Sequence, residues 1–416
     1  MSDIVLSASV RQNLLSLQST ADLLSTTQNR LATGKKVNTA LDNPTNYFTA
    51  ASLDNRASDI SNLLDGIGNG VQVLQAANTG ITSLQKLVDT AKSIANQALQ
   101  QPSGYSTKAN VDFTGASTAT GTATATDLNA GALTGGAFTF TDSSGTDVTI
   151  TIGATASAYD STSHAATVKS VDDFNKALSD AGLNLSVSLK SATVLTFTST
   201  NDGASQTLTT GTAAPTAAPA AGTVSIAAAA SVATIGTVNA AVADATSQTA
   251  RSSLVAQYNQ IIQQITTTAQ DASFNGVNLL NGDSLKLVFN ETGKSTSTIT
   301  GVTFDPNGLG LKSLTAGTDF IDNTSTNSVL TALNNASITL RSQASAFGAN
   351  LSIVQIRQDF SKNIINVLQT GSANLTLADS NEEAANSQAL STRQSIAVSA
   401  LALANQSQQS VLQLLR

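Results

Sequence analysis

The 416-residue chain has no cysteine and no tryptophan, a single histidine, and few charged or aromatic side chains (11% and 4%). Without thiols, disulfides, thiolate metal sites and cysteine nucleophiles are excluded, and the redox compartment stays open. One imidazole, His164, cannot build the common zinc sites, and it sits in a polar Ser-Thr-Ser-His-Ala stretch that reads as a solvated loop. A net charge of −7 with no basic stripe argues against nucleic acid, because phosphate binding depends on clustered lysine and arginine. No run of about 18 apolar residues exists, so no membrane insertion is expected. Met1-Ser-Asp-Ile-Val-Leu6 lacks the positive region and continuous apolar core of a Sec-type signal peptide. Taken alone, these absences read as a cytoplasmic protein.

What the chain does have is heptad repetition at both ends. Val10, Leu14, Leu17, Ala21, Leu24, Gln28 and Leu31 step by four and three, as do Ala397, Leu401, Ala404, Gln408, Val411 and Leu415, with Leu390 and Leu412 beside them. A helix with one apolar stripe must bury it against another segment or another chain. A longer seam runs through Leu53, Ala57, Ile60, Leu64, Ile67, Val71, Leu74, Asn78, Ile81, Gln85 and Val88. Its helix would form a rod of about 70 Å. Gly66, Gly68, Gly70 and Gly80 lie inside it, each costing about 1 kcal/mol, and make a local break credible. Its counterpart is Leu333, Ser337, Leu340, Ala344, Phe347, Leu351, Val354, Gln358, Ser361, Ile365, Leu368 and Ser372, with a third helix over 241–270.

Between Asp271 and Leu311 the period changes to two, with Leu285, Leu287 and Phe289 alternating against Lys286, Val288 and Asn290. Asn281-Gly282 and Pro306-Asn-Gly308 supply turn signals, so a hairpin packed on the helices is expected. From about Gln101 to Val238 the chain turns Thr/Ala/Gly-rich. Strands are expected at 137–141, 148–152, 183–189 and 194–198, with a capping box at Ser170 opening a short helix to Ala181. Residues 201–240 read as low-complexity and poorly ordered. The expected fold is mainly α: a long antiparallel helical bundle or coiled coil from both chain ends, with a β-hairpin region and an inserted α/β outer domain.

No constellation carries catalysis. Thr33-Gly34-Lys35-Lys36 lacks the first glycine and the magnesium-binding hydroxyl of a phosphate loop, and Gly66-Ile-Gly68-Asn-Gly70 lacks the third glycine of a dinucleotide fingerprint. Glu382-Glu383 point about 100° apart on a helix and read as a solvated face. Asp42, Asp54, Asp59 and Asp65 are spread out as surface or intersubunit groups. No catalytic residue, metal site or cofactor is expected.

Three stretches closely resemble bacterial flagellin: Leu31-Ala-Thr-Gly-Lys-Lys-Val-Asn-Thr-Ala-Leu-Asp-Asn-Pro-Thr-Asn46, Asp271-Ala-Ser-Phe-Asn-Gly-Val-Asn-Leu-Leu280, and Ala402-Leu-Ala-Asn-Gln-Ser-Gln-Gln-Ser-Val-Leu-Gln-Leu-Leu-Arg416. The start resembles alphaproteobacterial members. The resemblance covers roughly 1–100 and 245–416 and implies paired inner-tube helices at 1–42 and 374–416, an outer-tube helical domain from 43–101 and 241–373, and an outward-facing domain at 102–240. It implies a secreted homopolymer, the extracellular flagellar filament used for swimming, exported unfolded through the type III apparatus. The partners so implied are an export chaperone, the filament cap and the hook-junction proteins. The terminal helices are expected to order on incorporation, each too marginal to stand alone. Alternatives are a hook-filament junction protein, an enzyme-bearing flagellin, which the single histidine disfavours, and a cytoplasmic coiled-coil scaffold. The receptor-recognised helix of many flagellins reads Leu-Gln-Arg-Val-Arg-Glu-Leu, where this chain has Leu84-Gln-Lys86-Leu-Val88-Asp89-Thr90. Lys86 lacks arginine's planar fork, which implies weak activation of the vertebrate innate flagellin receptor.

Overall fold

The computed structural model describes residues 8–229 and 232–414. Long helices form its two flanks: α1 (Ala8–Thr33) and α2 (Pro44–Gln100) before the central strands, α4 (Ala245–Asp271), α5 (Asn323–Thr376) and α6 (Ser380–Leu414) after them. The starts of α2, α4, α5 and α6 are written locally. Asn43 accepts the Asn46 N–H ahead of Pro44, Asp244 accepts from Ser247, Asp322 from Ser325, and Asp379 from Asn381. These are Asx caps satisfying orphan amides, with proline at the first helical position of α2. Gly34, at φ +69°, ends α1 in the left-handed conformation, so the Thr33-Gly34-Lys35 motif is a helix stop.

The chain divides into two compact units. One comprises the chain up to Gln72, Leu285–Ile299 and everything from Ala349 onward; the other comprises Val73–Ser284 and Thr300–Gly348.

In the first unit, α2 and α5 meet through Ala57, Ile60 and Leu368, with Leu53, Ile364 and Ile365 packed around them. The hairpin of β13 (Ser284–Val288) and β14 (Thr296–Thr300) buries Leu285, Leu287 and Ile299. Glu291 pairs with Arg56 at 2.7 Å, and Arg357 lies 5.7 Å from the centre of the Phe289 ring. Gly70 is needed here, since a Cβ at that position would run into the Leu287 side chain. No break occurs at the glycines: α2 is continuous, because Gly70 and Gly80 are sites of close approach within a helix held by its packed face.

The second unit contains the insert, built from twelve strands and the capped helix α3 (Val171–Asp180). β1 (Tyr105–Thr107) pairs with β12 (Val242–Ala243), drawing the insert's two ends together. A four-stranded sheet runs β11 (Val232–Ile235), β2 (Asn110–Gly115), β8 (Val194–Ser199), β7 (Leu185–Ser191). A six-stranded sheet runs β5 (Ser157–Asp160), β6 (Ala165–Val168), β4 (Asp147–Ile152), β3 (Ala137–Thr141), β10 (Thr223–Ala228), β9 (Thr207–Gly211). Alternating strands point Phe113, Phe138, Phe140 and Phe197 into one core with Phe174 of α3, their ring centres 5.1 to 6.3 Å apart.

This corrects the low-complexity reading of 201–240. β10 stands inside the six-stranded sheet, with Val224 and Ile226 buried. Ala/Thr repetition hides a strand because alternation of small residues produces little hydropathy contrast. A buried cation fixes the join to the helices. Arg251 donates to the carbonyls of Gln101, Pro102 and Phe320 at 3.1, 3.0 and 2.6 Å. Ser205 donates to Asp322 at 2.5 Å, and Asn323 to Asp202 at 2.9 Å. His164 is half-buried rather than solvated, its Nδ1 2.9 Å from the Tyr159 hydroxyl.

Candidate assembly interface

The terminal helices α1 and α6 pack along each other within the first unit. Their direction is antiparallel: the end of α1 lies beside the start of α6, where Lys36 N–H donates to Thr376 O at 2.7 Å and Ala378 N–H to Gly34 O at 2.9 Å. Arg30 and Glu383 approach to 3.5 Å. Glu383 is therefore buried beside a cation, not on a solvated face as its sequence neighbourhood implies. The Arg30 Nε, sealed from solvent, has no hydrogen-bond partner.

Burial identifies which face each helix turns inward. On α1 it is Val10, Asn13, Leu17, Thr20 with Ala21 beside it, Leu24, Thr27 and Arg30; on α6 it is Glu383, Ser387, Leu390, Gln394, Ala397, Leu401 and Ala404. Both sets keep three-four spacing, the geometry of a two-helix seam. Their chemistry is unusual, for about half of the seam is polar. Thr20 spends its hydroxyl on the Ser16 carbonyl of its own helix at 2.8 Å, which lets its methyl face the partner.

Several large apolar side chains lie outside the seam. Leu14, Leu15, Leu23 and Leu31 of α1 are exposed, as are Ile396, Val398 and Leu403 of α6, the most open being Leu15 at 71% and Leu403 at 69%. Of the terminal residues expected to form the assembly seam, Val10, Leu17, Leu24, Leu390, Ala397, Leu401 and Ala404 face the α1/α6 contact, whereas Leu14 and Leu31 face outward. The side chains of Val411 and Leu412, and all of Leu415, lie outside the described residues.

A further apolar face lies on α5. Val354, Ser361 and Leu368 turn inward, while Ile353, Ile356, Phe360 and Val367 are exposed. Those four recur at intervals of three, four and seven, which places them on one side of the helix. Sequence reading missed this stripe, although its heptad spacing is visible beside the core heptad. Leu41 and Phe48 add to the exposed apolar surface, Leu41 being 96% accessible. Its loop is held in shape by Asp42, whose carboxylate accepts the Asn38 and Thr39 N–H groups at 2.9 and 2.8 Å. Those bonds hold the Asp42 carboxyl below its ordinary range.

Exposed apolar side chains recurring along one side of a helix are the kind of surface through which proteins associate. Among the described residues no cluster of metal-ligating side chains occurs, and no helix is long and apolar enough to cross a membrane.

Residues 5–113 match the bacterial flagellin N-terminal helical region, and residues 330–415 match the bacterial flagellin C-terminal helical region. Both ends of the chain are thus similar to flagellin. Flagellin FljM of Caulobacter vibrioides is 32% identical over 179 residues, which is 42% of this chain and 64% of that protein. Flagellin FljO of the same organism is 31% identical over 179 residues with the same coverage, and FljN is 32% identical over 185 residues. The chain thus spans a little under two thirds of these relatives' length. The flagellin matches cover α1, α2, nearly all of α5 and α6, which are the elements carrying the paired helices and the outward apolar faces. The likeness to Caulobacter flagellins places the ends with alphaproteobacterial members.

On the helix compared with the flagellin receptor motif, Lys86 and Asp89 are exposed but Val88 is fully buried. Val88 is a core residue of the second unit.

Proposed function

We propose that this chain is the structural subunit of a helical bacterial flagellar filament, with 1–42 and 374–416 as the inner tube. Residues 43–101 and 241–373 then form the outer tube, and 102–240 face outward. The observation that carries this reading is the division of apolar surface on the terminal helices. A half-polar seam joins α1 to α6, while seven further leucine, isoleucine and valine side chains stand exposed outside it. A helical polymer needs contacts between different faces of identical subunits, so that addition continues without closing a ring. The outward faces of α1, α6 and α5 supply such surface. Each leucine or isoleucine buried there contributes about 1.5–3 kcal/mol, offsetting the cost of ordering the ends.

Secretion, export through the type III apparatus, and binding of an export chaperone, the cap and the hook-junction proteins belong to the same proposal. They rest on the flagellin character of the ends. The test is seeded polymerisation of the purified chain, followed by light scattering and electron microscopy. Growth of long filaments from sheared seeds is the expected result; a protein that stays monomeric at high concentration with seeds present contradicts it.

A further inference from the structure

A cavity of about 320 Å³ lies in the second unit, between α4, the loop before Phe320 and the first turns of α5. Leu314, Val329 and Ala332 supply apolar wall, and Tyr258 and Asp319 supply polar groups. Tyr258 is only 1% exposed, its ring packed edge-on against Phe320. No described residue hydrogen-bonds to its phenol oxygen, and that oxygen is not sealed within protein. Tyr258 lines the cavity. Asp319 spends one carboxylate oxygen on the Thr315 N–H at 2.7 Å, leaving the other without a protein partner.

We propose that this cavity binds a small protonated amine with a short apolar body. Its volume falls at the lower end of small-molecule sites, which combine apolar walls with a few placed polar groups. The ammonium offers N–H donors to the open Asp319 oxygen and to the phenol oxygen, while the alkyl part lies against Leu314, Val329 and Ala332. Burial, with a smaller push from the Asp319 carboxylate, keeps the Tyr258 phenol protonated. A negative interior selects a cation over a carboxylate of the same shape. Lys312 and Ser328 stand exposed at the mouth. The lysine stem lets its ammonium stay in water, away from the bound cation. This inference is independent of filament formation, because it concerns the monomer's own second unit.

The test uses the full-length monomer, methyl-labelled, titrated with isopentylamine and, separately, isopentanol. The expected result is saturable shifts at the Leu314 and Val329 methyls with a dissociation constant of about 1 mM, and binding of the alcohol about tenfold weaker or less. Asp319→Asn should weaken the amine about tenfold, the share of a charge-assisted hydrogen bond. If that variant does not fold, Ala332→Leu, which narrows the cavity from the half-buried side of α5, should abolish the shifts. No saturable shift, equal affinity for the alcohol, or unchanged affinity in a folded variant would overturn the proposal.

Discussion

The insert and the terminal helix pair use apolar side chains in opposite ways. The insert draws five phenylalanines inward, from β2, β3, β8 and α3, and closes its core within one chain. The α1/α6 pair places Asn13, Thr20, Thr27, Glu383, Ser387 and Gln394 in its seam and leaves seven large aliphatic side chains outside. One region finishes its burial when it folds. The other leaves large aliphatic side chains open, the surface the proposed filament would cover.

The largest separation between the two follows from placing a charge on the outer face. Leu403→Asp and Leu23→Asp, both at exposed positions, should stop seeded polymerisation while leaving the melting of the insert unchanged, since a carboxylate cannot enter an apolar contact unpaired. Sedimentation and calorimetry of the same samples check both halves. Conversely, Phe197→Ala removes the ring that touches Phe113, Phe138, Phe140 and Phe174. About 3–5 kcal/mol of insert stability should disappear, visible in urea titrations, with α1 and α6 still able to polymerise.

A third expectation concerns alkaline pH. Burial, with a smaller push from Asp319, raises Tyr258 from 10.0 to about 12. The unfolded chain loses that proton first, so its stabilising effect is complete below pH 10 and declines as pH rises toward 12. Roughly 2–3 kcal/mol is lost across that window, and Tyr258→Phe should flatten the slope in urea titrations. The smallest effects belong to α2. A Cβ at Gly80 meets the Ala272 Cβ at 2.6 Å, whereas one at Gly66 meets nothing within 4 Å. Gly80→Ala should cost about 1–3 kcal/mol, and Gly66→Ala should gain up to about 1 kcal/mol, both read from thermal unfolding of the monomer.

Legibility in the sequence follows the same division. The seams of α2 and α5 were readable residue by residue: Ile67, Leu74, Ile81 and Val88 on one, Leu333, Leu340, Phe347 and Val354 on the other, all buried. There the apolar stripe and the partner belong to the same molecule. On α1 the rule placed only part of the face. Val10, Leu17, Ala21 and Leu24 turn inward as the heptad has it, whereas Leu14, Gln28 and Leu31 are exposed and Asn13, Thr20, Thr27 and Arg30 are covered in their stead. Apolar periodicity finds a helix's stickiest side, which need not be the side its own chain covers. The α5 stripe escaped notice for a related reason, being overshadowed by a stronger core heptad on the same helix. In the insert, β3, β4, β7, β8 and α3 were legible from alternation and the Ser170 cap, but β9 and β10 were not. Their register depends on neighbours distant in sequence, with β10 lying between β3 and β9.

Amide hydrogen exchange on dilute monomer and on assembled filament tests the central claim most directly. The account predicts rapid exchange along α1 and α6 in the monomer, strong protection of both in the filament, and equal protection of the insert core in the two states. Full protection of α1 and α6 in the solitary molecule, or no gain on assembly, would contradict it.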